Sequence, residues 1–318
     1  MAKSNQPAYT EQSIPPREGS STSTTTATPT LSVHPEPQYR LLLPEQASLS
    51  ESEEKTVDPS LPPPPLVICF HGSGSPASCS PAWDQLTSRL LLTGLRVMLC
   101  DRGPANPSPR DAAAMLRAHL RDNGVRGPYV LVAHSYGGAF ARMFLHVWEG
   151  GGQGKGKGIK GRGGGRDDIA GMVLVETGQE GGLDPEVEEH QLRRHVLGSR
   201  PLVVVRGNSL LGKWRELERA EEEGIEGQRE MLRRCDEEDR RLKRRQLALS
   251  ACGDGSRVRF VEIPDCGHNV VADRPETVAE AVEWVVRMLG EEEEGDATRN
   301  GRSWWRMMGK NIKGLTRR

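Results

Sequence analysis

Residues 128–140 read PYVLVAHSYGGAF. A short apolar run breaks at His134-Ser135-Tyr136-Gly137-Gly138 and resumes with helical spacing, which sets a serine in the turn from a strand into a helix. Such a turn lifts the hydroxyl clear of a sheet so that a substrate can reach it. It also crowds the backbone, so the positions two before and two after the serine have to be small, and they are Ala133 and Gly137. A serine hydroxyl is a poor nucleophile until a base takes its proton, so the question passes to the rest of the chain.

The flanking pattern predicts the fold class. LVICF, LRVMLC, YVLVAH, IAGMVLVE, RPLVVVRG and RVRFVEIP are short, apolar, β-rich runs. Between them, WDQLTSRLLLTG, PRDAAAMLRAHLRDNG, GGAFARMFLHVW and ETVAEAVEWVVRML have helical spacing. Fully apolar strands alternating with helices predict an α/β fold, a mostly parallel central sheet with helices on both faces. Within 318 residues the apolar fraction is only 35%, with 36 Gly and 22 Pro, which describes one domain carrying unstructured attachments.

Those attachments can be placed. Residues 1–36 are Ser, Thr and Pro with scarcely an aromatic and are expected to be a disordered tail. The domain spans 37–290, opening with a weak strand pair between YRLLL and EEKTV. Residues 150–166 are almost only Gly, Lys and Arg and are expected to be a flexible loop. Their five cations have no aromatic between them for base stacking, which disfavours RNA contact. A second insertion, 212–248, follows the penultimate core strand. Its helical propensity and opposite charges at i,i+4 describe a solvated excursion, or else a lid facing inward with Trp214, Leu217, Ile225 and Leu232. Residues 291–318 form an acidic, then basic, tail.

Charge and cysteines exclude several classes. A net charge of −1 gives no global reason to expect a nucleic-acid partner. The six cysteines show no CxxC spacing, which argues against a zinc site or a disulfide scaffold and for reduced thiols. The N-terminal residues contain no apolar leader, and no window approaches the roughly 18 apolar residues of a spanning helix, so a cytoplasmic protein is expected. The basic end, GRSWWRMMGKNIKGLTRR, mixes six cations with Trp304, Trp305, Ile312 and Leu315, the composition of a weak membrane-surface contact. Gly309 and Gly314 weaken it as a helix and favour a disordered or core-docked tail.

The segment around Ser135 resembles the nucleophile elbow of the α/β-hydrolase superfamily, G-x-S-x-G between a strand and a helix, with Ala133 at the first glycine. The resemblance extends over roughly residues 60–290. It implies Ser135 as nucleophile, and it makes His71-Gly72 after LVICF similar to the family's oxyanion loop, so that the backbone N–H groups of Ser73 and Tyr136 are the expected oxyanion donors. His71 is then read as ordering that loop. Asp101, Arg102 and Ser108 match the family's D-R-x-G-x-G-x-S turn, with Pro104 and Asn106 in place of its glycines, and a structural role is expected for it. His268, in a loop between the last strand and a helix, stands where the family keeps its catalytic base. His134 is expected to pack inside the elbow, and His119 and His146 fall on predicted helices.

The acid departs from the commoner pattern, since no Asp or Glu occurs between Pro201 and Lys213. Some relatives place the acid one strand earlier, where this chain has Glu176. Asp265, three residues before His268, is the other candidate, and it would have to fold back under the ring. The resemblance therefore implies a serine hydrolase acting on a small-molecule acyl substrate, most simply a carboxylic ester, without cofactor or metal. A non-catalytic binding or scaffold protein on the same fold is the alternative.

Overall fold

The apolar runs at the centre of the chain become strands with neither face in water. The computed structural model describes residues 10–13, 37–44, 63–73, 81–150, 168–178, 182–223, 227–252 and 255–296. Its sheet contains β1 (Thr10–Ser13), β2 (Gln38–Leu43), β3 (Leu66–Phe70), β4 (Arg96–Asp101), β5 (Tyr129–His134), β6 (Ile169–Val175), β7 (Leu202–Arg206) and β8 (Val258–Glu262). The spatial order is β1-β2-β4-β3-β5-β6-β7-β8, with β3 to β8 parallel and β1 and β2 antiparallel at one edge. Every residue of β3, β6 and β7 is buried.

Among the described residues eight α-helices connect and cover the strands: α1 (Pro81–Leu92), α2 (Pro109–Asp122), α3 (Gly137–Gly150), α4 (Pro185–Arg194), α5 (Leu211–Glu222), α6 (Arg229–Arg245), α7 (Val270–Asp273) and α8 (Pro275–Asp296). Because strand side chains alternate, Val67, Val97, Val130 and Val132 pack toward α1 and α8, against Trp83, Leu90, Val278 and Val282. Ile68, Met98, Leu131 and Ala133 pack on the other face, against Leu116 and Leu120 of α2 and Phe140 and Phe144 of α3. Each such burial stabilises by about 1.5–3 kcal/mol.

Sequence punctuation sets the helix ends. The Ser108 hydroxyl accepts from the Asp111 N–H at 3.2 Å, Pro109 follows it, and Gly124 ends the turn at φ +62°. Helix α4, which periodicity did not single out, begins in the same way at Asp184-Pro185 and ends at His195 in the left-handed conformation. All six parallel strands end at one sheet edge, where open α/β sheets gather their functional groups.

Several boundaries differ from expectation. Thr10–Ser13, inside the stretch expected to be a disordered tail, adds a strand to the edge of β2; the remainder of 1–36 lies outside the described residues. YRLLL forms β2, but its partner is β4, and EEKTV lies outside the described residues. Helix α8 runs on to Asp296, past the expected domain end at 290. The Gly/Lys loop from 151 onward and the basic segment 297–318 also lie outside the described residues. Among the described residues no helix is long and apolar enough to cross a membrane.

The packing of α8 on β6 depends on Gly171. A Cβ there would stand 2.5 Å from Val285 Cγ1 and 2.9 Å from the Pro201 carbonyl oxygen, so either the helix or the neighbouring strand would have to move. Gly171→Ala is expected to lower the unfolding free energy by about 1–3 kcal/mol in urea denaturation. An unchanged midpoint would show that the α8 contact is looser than described.

Candidate active site

Strand β5 delivers Ser135 in a strained conformation, φ +53°, which an L-residue rarely adopts. Two hydrogen bonds hold it there. The Ser135 N–H donates to the Val175 carbonyl at 2.9 Å, and its carbonyl accepts from the Gly138 N–H at 2.8 Å. Gly137 is dictated by its surroundings, because a Cβ there would sit 2.2 Å from the Phe70 carbonyl oxygen and 2.8 Å from that of His71. Gly72 passes just above the serine, where a Cβ would lie 2.9 Å from Ser135 Cβ.

His268, on the loop after β8, places Nε2 2.9 Å from Ser135 Oγ and Nδ1 3.1 Å from Glu176 Oε2. Its own backbone is anchored from the elbow: His134 Nε2–H donates to the His268 carbonyl at 2.9 Å, with the two rings 5.1 Å apart. Burial lowers the pKa of His134, so it serves as a neutral donor.

Glu176 directly follows β6, also at φ +53°, and is 1% exposed. Four donors surround its carboxylate. Oε1 accepts from the Gly207 N–H at 2.7 Å and faces Lys243 Nζ at 2.9 Å. Oε2 accepts from the Ser209 hydroxyl as well as from His268 Nδ1. Burial pushes its pKa up, but the His268 hydrogen bond, the Lys243 charge and the Ser209 hydrogen bond outweigh that and bring it down from 4.5 to about 2. Asp265, the other candidate acid, lies apart from this group, 72% exposed and paired with Arg274 Nη2 at 2.9 Å.

The loop after β3 is held from below by Arg102. Its Nη1 and Nη2 donate to the carbonyls of His71 and Gly72 at 2.7 and 2.6 Å, its Nε donates to Asn106 Oδ1 at 3.1 Å, and Phe140 lies 4.3 Å beneath the guanidinium. Asn106 takes up φ +39°, a conformation that Asn tolerates better than most side chains. His71 Nδ1–H donates to the Gly72 carbonyl at 2.8 Å, and burial with Arg102 nearby lowers its pKa to about 4, which keeps it out of proton traffic near neutrality. Ser73 is exposed at the mouth of the site and Tyr136 follows the serine; among the described residues neither N–H is used in a backbone hydrogen bond. A cavity of about 580 Å³ opens beside His268, lined also by Asn208, Ser209, Leu211, Arg215 and Arg274. Among the described residues no group of His, Cys, Asp and Glu is arranged to hold a metal ion.

Sequence reasoning missed Lys243, Asp239, Arg206 and Ser209. In the insertion no residue of α5 is buried, in keeping with a solvated excursion; the apolar residues that a lid would turn inward are Trp214, Leu217 and Leu232, only half-buried, and Ile225, outside the described residues. The insertion's buried face is charged instead, with Asp239 at 2% and Lys243 at 1% exposure. One signal was available. Arg206 ends the apolar run PLVVV, and a cation at the end of a buried strand requires a carboxylate partner.

The lowered pKa of Glu176 has a consequence for stability. Its contribution is complete above about 4.5 and is lost as pH falls through about 2. Between about pH 5 and about pH 2, wild type should lose a few kcal/mol through this group that Glu176→Gln does not, so the variant should show the shallower dependence of unfolding free energy on pH. Equal slopes would mean that Glu176 is not held as an anion.

The profile of the alpha/beta hydrolase family matches residues 67–281. A protein of Gibberella zeae described as an AB hydrolase superfamily protein is 24% identical over 295 residues, covering 67% of this chain and 84% of that one. Among solved structures, a thermophilic esterase from Thermogutta terrifontis is similar at 17% identity and TM-score 0.44, covering 72% of this chain and 92% of the esterase. Est1E from Butyrivibrio proteoclasticus is similar at 15% identity and TM-score 0.46, covering 80% and 95%. The matched span runs from β3 into α8 and takes in the serine elbow, the β6 carboxylate and the histidine loop, so the chain belongs to the alpha/beta hydrolase family.

Proposed function

We propose that the protein is a serine hydrolase that cleaves a carboxylic ester or a related small acyl substrate through a Ser135–His268–Glu176 triad. The observation that carries this reading is the unbroken chain from Glu176 Oε2 to His268 Nδ1 at 3.1 Å and from His268 Nε2 to Ser135 Oγ at 2.9 Å, ending on a serine held at φ +53°. In the resting site Nδ1 carries the proton, because a carboxylate can only accept. Nε2 is then free to accept from the serine hydroxyl.

Ser135 Oγ attacks the carbonyl carbon as its proton passes to His268 Nε2, and Glu176 stabilises the imidazolium so formed. The backbone N–H groups of Ser73 and Tyr136 receive the oxyanion; losing one such donor typically costs on the order of 10²–10³ in kcat. His268 returns the proton to the leaving alcohol as the acyl-enzyme forms. A water molecule, deprotonated by the same nitrogen, then releases the acid and restores Ser135. The carboxylate missing after β7 does not favour a non-catalytic binding protein, because Glu176 supplies that contact from β6.

A fluorophosphonate probe should label wild type and leave Ser135→Ala unlabelled at equal folded content by circular dichroism. Equal labelling of both proteins, or none of wild type, would remove the hydrolase reading. In the same assay Glu176→Gln should slow labelling by on the order of 10⁴, the size of loss known for a triad carboxylate. Asp265→Asn, which alters only an exposed pair with Arg274, should have a mild effect.

A further inference from the structure

The C-terminal half of α6 carries charge into the protein. Lys243 Nζ lies 2.8 Å from Asp239 Oδ1, one turn earlier on the same helix, and 2.9 Å from Glu176 Oε1 across the sheet edge. Asp239 Oδ2 in turn accepts from Arg206 Nε, at the end of β7, at 2.8 Å. Arg206 also pairs with Asp236 of α6 and, at 3.3 Å, with Glu262 of β8, which Arg240 of α6 holds at 2.7 Å. Charges of alternating sign therefore run Arg206, Asp239, Lys243, Glu176 and end on His268. The other groups facing Glu176 are the Gly207 N–H and the Ser209 hydroxyl from the loop after β7. His134, which bonds the His268 carbonyl, and Cys266 also lie close enough to Glu176 to interact with it electrostatically.

An ammonium shared by two buried carboxylates is a costly way to fill space, since well-packed apolar side chains do so at less expense in desolvation. Its position suggests a specific effect. Without it, Glu176 would face the carboxylate of Asp239 across a dry site with its nearest cation gone, and a like charge so placed favours the protonated form of Glu176. A protonated Glu176 could no longer stabilise the imidazolium of His268.

We propose that Lys243 is a positioning residue of the site: its ammonium keeps Glu176 ionised, with Oε1 engaged and Oε2 turned toward His268 Nδ1. The charged insertion between β7 and β8 is thus a working part of the site. The inference rests on the Ser135–His268–Glu176 reading.

The test measures the second-order rate of fluorophosphonate labelling of the full-length chain from about pH 6 to about pH 9, a range that spans histidine titration. Four proteins are compared with wild type: Lys243→Met, Lys243→Gln, Lys243→Gln combined with Asp239→Asn, and a control, Arg241→Met. Arg241 is exposed on the same helix, and among the described residues its ion pair is with Glu238. Both Lys243 substitutions should slow labelling by at least about tenfold near pH 7, and the deficit should shrink as pH rises and Glu176 regains its charge. Removing the competing carboxylate with Asp239→Asn should restore part of the rate, and the control should match wild type. If Lys243→Met fails to fold, Lys243→Gln, which keeps a polar but uncharged side chain, and its double variant decide the matter. Wild-type rates in the Lys243 variants, or a deficit that is constant with pH and unrelieved by Asp239→Asn, would overturn the proposal. A wild type that does not label at all would instead remove the hydrolase reading beneath it.

Discussion

A carboxylate taken out of water must have its lone pairs filled, and Glu176 receives four donors from three parts of the chain: Gly207 and Ser209 of the loop after β7, Lys243 of α6, and His268. Moving such an ion out of water costs several kcal/mol even after relaxation, and charge-assisted hydrogen bonds of this kind offset that cost. The geometry of the site follows from this. The loop after β7 is drawn inward by its Gly207 and Ser209 bonds, α6 is docked through Lys243, and the imidazole of His268 is turned so that Nε2 meets the serine.

The two strained residues of the site are held by one device used twice. Ser135 donates its N–H to Val175 on β6, and Glu176 donates its N–H to Val205 on β7, each at 2.9 Å. Each strand thus hooks the residue just after its end onto the next strand, and this holds the left-handed conformation against a strain on the order of 1–3 kcal/mol per residue. The parallel register of β5, β6 and β7 therefore sets the spacing of Ser135 and Glu176, and β7 and β8 bring up the histidine loop beside them.

Much of this was legible in the sequence because it is written locally. YVLVAH, LVICF and VLVE are strands by run length and composition, and the small residues flanking Ser135 mark a crowded turn whose reason is the Phe70 carbonyl beneath Gly137. Glu176 could be named only by its place at a strand end, with Asp265 still open beside it, because the separation rests on which carboxylate is buried against His268. Lys243 and Asp239 were illegible for a different reason. Their i,i+4 spacing is the same as that of solvated pairs such as Glu230 and Arg234 on the same helix. Nothing in the helix itself tells which pair faces water; only the partner surface, Arg206 and Glu176 at the sheet edge, distinguishes them.

Whether Nε2 of His268 can accept from Ser135 depends on which ring nitrogen carries the proton. Long-range proton–nitrogen correlation spectra of protein labelled with nitrogen-15 at histidine, recorded where the ring is neutral, read this directly. The buried Glu176 carboxylate requires the Nδ1–H tautomer in wild type and loses that control in Glu176→Gln. An Nε2–H tautomer in the wild-type protein, or a tautomer indifferent to the loss of Glu176, would contradict the account at its centre.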